Sequence, residues 1–272
     1  MPTINTREEY RSLKALNQSG AKVLLTQTPA GFKAYLAAES EDSKALRMGS
    51  LTHAMVLEKD TVLTRYAASP ECDRRTKDGK QLFEAFQTAN ADKTIVAADE
   101  WEVCDKVAAS MLERIKALGL TIMATEVMIS VEYNGAMLKA TLDAIVTDKN
   151  GDEWIVDLKT TAEEGANPKE FLQTVRKYRL ALQAHWYRTV YQMHTGKRVR
   201  GFIFIVAEKA PPYLSAAYQI GPELMTYAAF DFEAVVTLYK GCIALDEWPG
   251  YPNEVVELDI PSKNTSNPIS FA

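Results

Sequence analysis

The chain is short of the features that mark several large protein classes. Its three cysteines, Cys72, Cys104 and Cys242, stand far apart with no CxxC spacing. That spacing argues against a zinc ribbon or an iron–sulfur cluster, and each cysteine is most simply a reduced thiol. No apolar run approaches the roughly eighteen residues of a membrane-spanning helix, and the polar start MPTINTREEY lacks a signal-peptide pattern. The expectation is a cytoplasmic protein with no membrane partner. An excess of positive charge is missing too: 31 Lys and Arg stand against 36 Asp and Glu, a net charge of −5. With a sequence pI near 5.4, there is no global electrostatic footprint for nucleic acid, so any such site must be local. Two local basic patches stand out, one of Arg74, Arg75, Lys77 and Lys80 and another of Lys197, Arg198 and Arg200. Repeats, low-complexity blocks and a linker able to separate two domains are absent as well.

What remains is an ordinary globular composition, 47% hydrophobic and 25% charged over 272 residues, enough to bury a substantial core. The reading is one domain over residues 1–272, with a mainly helical part at 1–98, a core at 99–250 and a mobile polar tail at 262–272. Residues 7–39 are rich in Leu, Ala and Lys and read as helices interrupted near Asn17-Gln18-Ser19-Gly20 and at Pro29-Ala30-Gly31. Met48 to Glu58 reads as a helix with Ser50 as its cap, carrying His53, one of three histidines. SPECDRRTKDGK, from Ser69 to Lys80, reads as a loop whose positive residues either track a phosphate backbone or are simply solvated. Asp99 and Glu102 have the spacing of a capping box before a helix that Gly119 stops.

Three strands follow, near 121–133, 137–147 and 153–160, forming an antiparallel meander with Asn134-Gly135 at the first turn. A helix capped by Asn167 and Pro168 and ended by Gly196 then precedes strands at 199–206 and 213–220 and a helix at 223–245. The informative stretch is Thr141 to Thr160, TLDAIVTDKNGDEWIVDLKT. If Lys149, Asn150 and Gly151 form a three-residue hairpin loop with Gly151 left-handed, Asp148 faces Asp152 and Asp143 falls opposite Asp157. Strand alternation turns Asp157 and Lys159 to the same side, so two carboxylates and an amine converge. An acidic pair inside an apolar hairpin is costly, and a divalent cation with hard oxygen ligands removes the repulsion. Lys159 beside such a metal would hold and polarise an attacking water. The plainer alternative is a surface hairpin with an Asp–Lys salt bridge.

The order helix, meander, helix, strand, with carboxylates on the last two meander strands, resembles the core of the PD-(D/E)xK nuclease superfamily. Asp143 matches the aspartate of its second strand, Asp157-Leu158-Lys159 its (D/E)xK motif, and Gln183 and Tyr187 the QxxxY helix of its RecB-like branch. GSLTHAMVLEKD is similar to the GxxxHxxxLEPD helix of the exonuclease VIII (RecE) family, with Lys59 in place of proline. CDRRTKDGK and WPGYP resemble that family as well.

The resemblance implies an α/β (α+β) fold, a central mixed sheet with an antiparallel meander flanked by helices, plus N-terminal helices. It implies a Mg²⁺ site, open also to Mn²⁺, made by His53, Asp143, Asp157 and the Leu158 carbonyl, with Lys159 catalytic and Gln183 and Tyr187 in support. Glu126 and Thr160 are candidates to line the site, and Glu126 alternatively pairs with a basic side chain. The implied activity is a 5′-to-3′ exonuclease on double-stranded DNA ends that leaves 3′ overhangs for phage-type recombination. A homotetrameric ring and a RecT-like single-strand annealing partner come with it. An endonuclease, or an inactive DNA-binding module on the same fold, are the competing readings.

Overall fold

The structure, a computed structural model, describes residues 4, 6–38 and 43–257; the expected tail at 262–272 lies outside them. In chain order the elements are α1 (Arg7–Ser12), α2 (Gln18–Thr26), α3 (Pro29–Ala37), α4 (Lys44–Leu57), α5 (Val62–Arg65), β1 (Tyr66–Ala68), α6 (Lys77–Ala89), β2 (Thr94–Val96) and α7 (Ala98–Ala117). There follow β3 (Thr121–Tyr133), β4 (Ala136–Thr147), β5 (Glu153–Thr161), α8 (Pro168–Lys177), α9 (Leu180–Thr195), β6 (Gly201–Glu208), β7 (Ser215–Tyr218) and α10 (Pro222–Leu245).

β3 to β7 form one mixed sheet in that order, antiparallel except for the parallel pair β5–β6. The helices α8 and α9 make the crossover that a parallel pair requires. Helices cover both faces. One core packs α2, α3, α8, α9 and α10 against the sheet through Leu24, Phe32, Phe171, Trp186 and Phe232. The other packs α4 and α7 through Leu51, Met55, Val107 and Met111. β6, GFIFIVAE, is buried along its whole length, as expected of an apolar strand covered on both faces. β1 and β2 form a small parallel pair of their own.

Both meander turns follow from their glycines. Asn134 and Gly135 have φ of 50° and 82°, the doubly left-handed geometry of a two-residue turn that lets Tyr133 pair with Ala136. Gly151 has φ of 82°; its N–H reaches the Asp148 carbonyl at 3.0 Å and Asp148 N–H the Asp152 carbonyl at 3.0 Å. The expected register therefore holds from Thr147↔Glu153 to Ala144↔Val156.

Several boundaries differ from the sequence reading. α4 starts at Lys44 with Ser43 as its cap, the Ser43 Oγ accepting from Leu46 N–H at 3.2 Å, because Lys44-Ala45-Leu46-Arg47 are all good helix formers. Ser50 is therefore interior. α7 starts at Ala98 with no side-chain cap, which leaves Asp99 in the first turn, where its charge still complements the helix dipole. The helix expected from Asn167 to Gly196 is two, divided at Arg179, whose φ is 48° and whose guanidinium bonds Asp231 of α10 at 2.7 Å. SPECDRRTKDGK is a loop only as far as Thr76, which caps α6 by accepting from Gly79 N–H at 3.1 Å. Lys77 and Lys80 thus sit in the first turn of a helix. Among the described residues no helix is long and apolar enough to cross a membrane.

Candidate active site

The site lies where the β4–β5 ladder stops, at Ala144↔Val156. One residue on, Asp143 and Asp157 would be the next pair. Instead, the Asp143 carboxylate accepts the Leu158 N–H at 2.8 Å, so a side chain takes the place of the ladder bond. The strand also changes face there. Leu138, Ala140 and Leu142 belong to one core, while Ala144 and Val146, which simple alternation would put beside them, belong to the other. Across the β3 ladder, between Val127↔Leu142 and Thr125↔Ala144, Glu126 takes φ of 51°. A left-handed conformation at a residue with a Cβ costs on the order of 1 kcal/mol, and the surrounding ladder on both sides holds it. This break lets Asp143 reach groups on both faces of the sheet.

From one face comes α4. His53 Nε2 lies 2.9 Å from the Leu158 carbonyl, and its Nδ1 lies 3.5 Å from Asp143 Oδ2. From the other comes α9, on which Gln183 donates to Asp157 Oδ1. Lys159, two residues along β5, donates to Asp157 Oδ2 and lies 5.7 Å from the Phe204 ring. Asp157 is thus almost sealed, its side chain 2% exposed, while Asp143 at 15% and His53 at 27% open toward solvent. Tyr187, one turn beyond Gln183, is buried.

The electrostatics match that packing. Burial, and then the charge of Asp157, push the Asp143 carboxyl above its ordinary range. Burial works against the charge on Lys159, but Asp157 and Asp143 outweigh it and hold the amine above its ordinary value. Burial and the same two carboxylates push the Tyr187 phenol well up, so it stays neutral. Glu126 is raised by burial first, with Asp143 and Glu58 adding to it against Arg7.

His53, Asp143, Asp157 and the Leu158 carbonyl are the donors that would hold a metal. Among the described residues no three His, Cys, Asp or Glu side chains form a ready-made cage. The set still fits a cation. The imidazole has one N–H when neutral, yet its two nitrogens face a carbonyl and a carboxylate. Hard oxygens and an imidazole nitrogen are the donor chemistry of a divalent metal.

The other sequence candidates are placed as follows. Glu126 lies at the edge of the site, tied to Arg7 at 3.1 Å. Thr160 turns toward α4, its Oγ1 4.0 Å from where a Cβ on Gly49 would stand. Arg75 is paired with its neighbour Asp73 at 3.0 Å, and the Arg74 guanidinium lies 3.5 Å from the Phe83 ring centroid. With Lys77 and Lys80 they make no bond to the Asp157 cluster among the described residues.

Three residues near the cluster are not evident from the sequence. Lys22 of α2 is pushed down to about 8 by burial and by Lys159, against the pull of Asp157. The one trace of it in the sequence is a lone cation inside the apolar run Gly20 to Leu25. Tyr10, pushed up to about 12 by burial, shares a hydrogen bond with Thr141. Tyr10 and Thr141 line a cavity of about 210 Å³ that also touches Tyr187.

A mixed sheet split at two carboxylates, with a lysine two residues after the second and a glutamine on the crossover helix, is the architecture of the PD-(D/E)xK nuclease superfamily. The chain belongs to the family of PDDEXK-like domains of unknown function (DUF3799), whose model matches residues 13–258. Proteins of this superfamily typically use divalent metal ions. No curated protein matches the chain. Among solved structures, a candidate exonuclease from Eubacterium rectale is similar in fold, with a TM-score of 0.59 and 17% identity over 95% of this chain and 97% of that one. LHK-Exo, solved in complex with dAMP, aligns over 74% of this chain and 93% of its own at 16% identity. Its TM-score of 0.32 is too low to bear on the fold.

Proposed function

We propose that the protein is a Mg²⁺-dependent exonuclease acting on double-stranded DNA ends, with Mn²⁺ able to replace Mg²⁺. The observation that carries this reading is the convergence of Asp143, Asp157 and Lys159 where the β4–β5 ladder stops. His53, Asp143, Asp157 and the Leu158 carbonyl hold the cation, which supplies Lewis-acid and water-activating chemistry when bound. Lys159 holds the attacking water and stabilises the charge that develops on the scissile phosphate. Gln183 fixes the Asp157 carboxylate, and Tyr187 lies one turn beyond it as a buried, neutral phenol.

The finer assignment, to an exonuclease VIII (RecE)-like enzyme that works 5′ to 3′ and leaves 3′ overhangs, rests on the GSLTHAMVLEKD helix that carries His53. A homotetrameric ring with a RecT-like annealing partner, serving phage-type recombination, completes that reading. A ring holds its substrate topologically and so needs no tight static binding; a head-to-tail contact that closes on itself produces one.

Incubation with Mg²⁺ on linear and on covalently closed circular duplexes tests the proposal. Loss of the linear DNA alone, with 5′ labels released before 3′ labels, is the expected result. Cutting of closed circles makes it an endonuclease. Light scattering for subunit number, with a trap of excess unlabelled DNA added after digestion starts, tests the ring separately.

A further inference from the structure

Away from the carboxylates, a groove of about 1040 Å³ runs between the α1–α2 connection, α3 and the C-terminal end of α10. One wall is a file of aromatic rings. Phe32 stacks on Tyr35, with centroids 6.5 Å apart and planes 29° apart, and on Trp248, at 5.7 Å and 26°. Tyr35, at the end of the file, is 44% exposed. The rim is basic in an otherwise acidic protein. Arg11, Lys14 and Lys33 line it, all exposed, and the Lys33 ammonium lies 5.9 Å from the Trp248 ring centroid. Among the described residues Asp246 is the one carboxylate in the lining.

The groove also borders the surroundings of the site. Asn17 and Lys139 line both it and the smaller cavity that touches Thr141 and Tyr187. Lys139 stands four residues before Asp143 on β4, roughly 13 Å along an extended strand.

We propose that this groove holds a single strand of nucleic acid running out of the catalytic cleft, an inference that rests on the nuclease reading. Cations along a channel with an open aromatic face are what a single strand requires: phosphates pair with the cations while a base stacks on the ring. A protein segment fits the apolar wall, but it leaves the exposed charges of Arg11, Lys14 and Lys33 with a single carboxylate among the described lining residues.

The test is equilibrium binding of a short fluorescein-labelled oligothymidylate to the full chain in EDTA, read by anisotropy across a salt titration. Tyr35→Ala and the combined Arg11→Gln, Lys14→Gln, Lys33→Gln variant replace exposed side chains. Circular dichroism checks that both keep the fold. Tyr35→Ala is expected to weaken binding about tenfold. The triple variant is expected to lower the salt slope by about 2, at roughly 0.7 for each phosphate contact on a single strand. Unchanged affinity in both variants overturns the proposal. So does a change of sedimenting mass at unchanged affinity, which gives the groove to a second copy of the chain. Hydrolysis of linear duplex with Mg²⁺ is measured beside it. A wild type that cuts while the variants bind normally sinks the groove alone, whereas groove-dependent binding without any cutting sinks the nuclease reading.

Discussion

Lys22 offers a measurement whose sign and size follow from the structure. Its amine is pushed down to about 8, first by burial and then by Lys159, from an unfolded value near 10.4. The folded state therefore carries a charged group at a cost of up to about 3 kcal/mol at neutral pH, at about 1.4 kcal/mol per pH unit of separation. The side chain is half-buried, and residual solvent screening trims that to roughly 2 kcal/mol. Between pH 8 and about 10.4 the unfolded chain binds more protons than the folded one at this site, so its contribution to stability rises with pH. Lys22→Met keeps the packing of the stem and removes the charge. The variant is expected to be more stable than wild type at pH 7 by about 2 kcal/mol, roughly 5 °C in melting temperature for a chain of this size. That advantage should shrink toward zero by pH 10. The wild-type minus variant difference is the quantity to follow, because the raised Tyr10, Cys104 and Cys242 also titrate in the alkaline range and cancel from it. Thermal unfolding in parallel from pH 7 to pH 10 gives the answer. A variant that is less stable than wild type at pH 7, or a difference independent of pH, refutes the placement of Lys22 beside Lys159.

Lys159→Ala should keep metal and DNA binding yet lose turnover by about 10²- to 10³-fold, the usual effect of removing one preorganised charge-stabilising donor; single-turnover kinetics beside a binding titration check this. Gln183→Leu leaves an oxygen of the sealed Asp157 carboxylate without its donor and should destabilise the fold by about 1.5–3 kcal/mol in denaturant unfolding. In the basic segment, Lys77→Gln and Lys80→Gln should weaken every duplex alike and flatten the salt dependence. Arg75→Gln, whose parent guanidinium is already held by Asp73, should do so less, and a filter-binding series in increasing salt distinguishes them.

Much of this site was legible because its geometry is local. Gly151 and Asn134-Gly135 each force a turn that few other residues adopt, and two tight turns fix the registers of three strands. That is why Asp143, Asp157 and Lys159 could be brought together by counting. The facts that counting missed depend on contacts distant in the chain. The face change at Asp143 needs Glu126 in a left-handed conformation, which its side chain does not ask for and which only the flanking β3–β4 pairing imposes. The division of α8 from α9 at Arg179 answers to Asp231 of α10, more than fifty residues on. Arg7 reaches across to Glu58 and Glu126, and Lys22 approaches Asp157, from N-terminal helices whose docking has no signal in their own periodicity. Serine favours caps, which makes Ser50 a natural candidate in the sequence, yet the helix formers before it carry α4 back to Ser43.

The central claim is that Asp143 and Asp157 are the anionic ligands of a hydrolytic metal site. Calorimetric titration of Mg²⁺ into wild type, Asp143→Ala and Asp157→Ala, with digestion of linear duplex followed in the same preparations, tests it most directly. Wild type should bind the metal and cut, and each variant should lose cleavage with much weakened binding, because each removes a hard oxygen ligand. Nuclease activity that survives in Asp157→Ala contradicts the account.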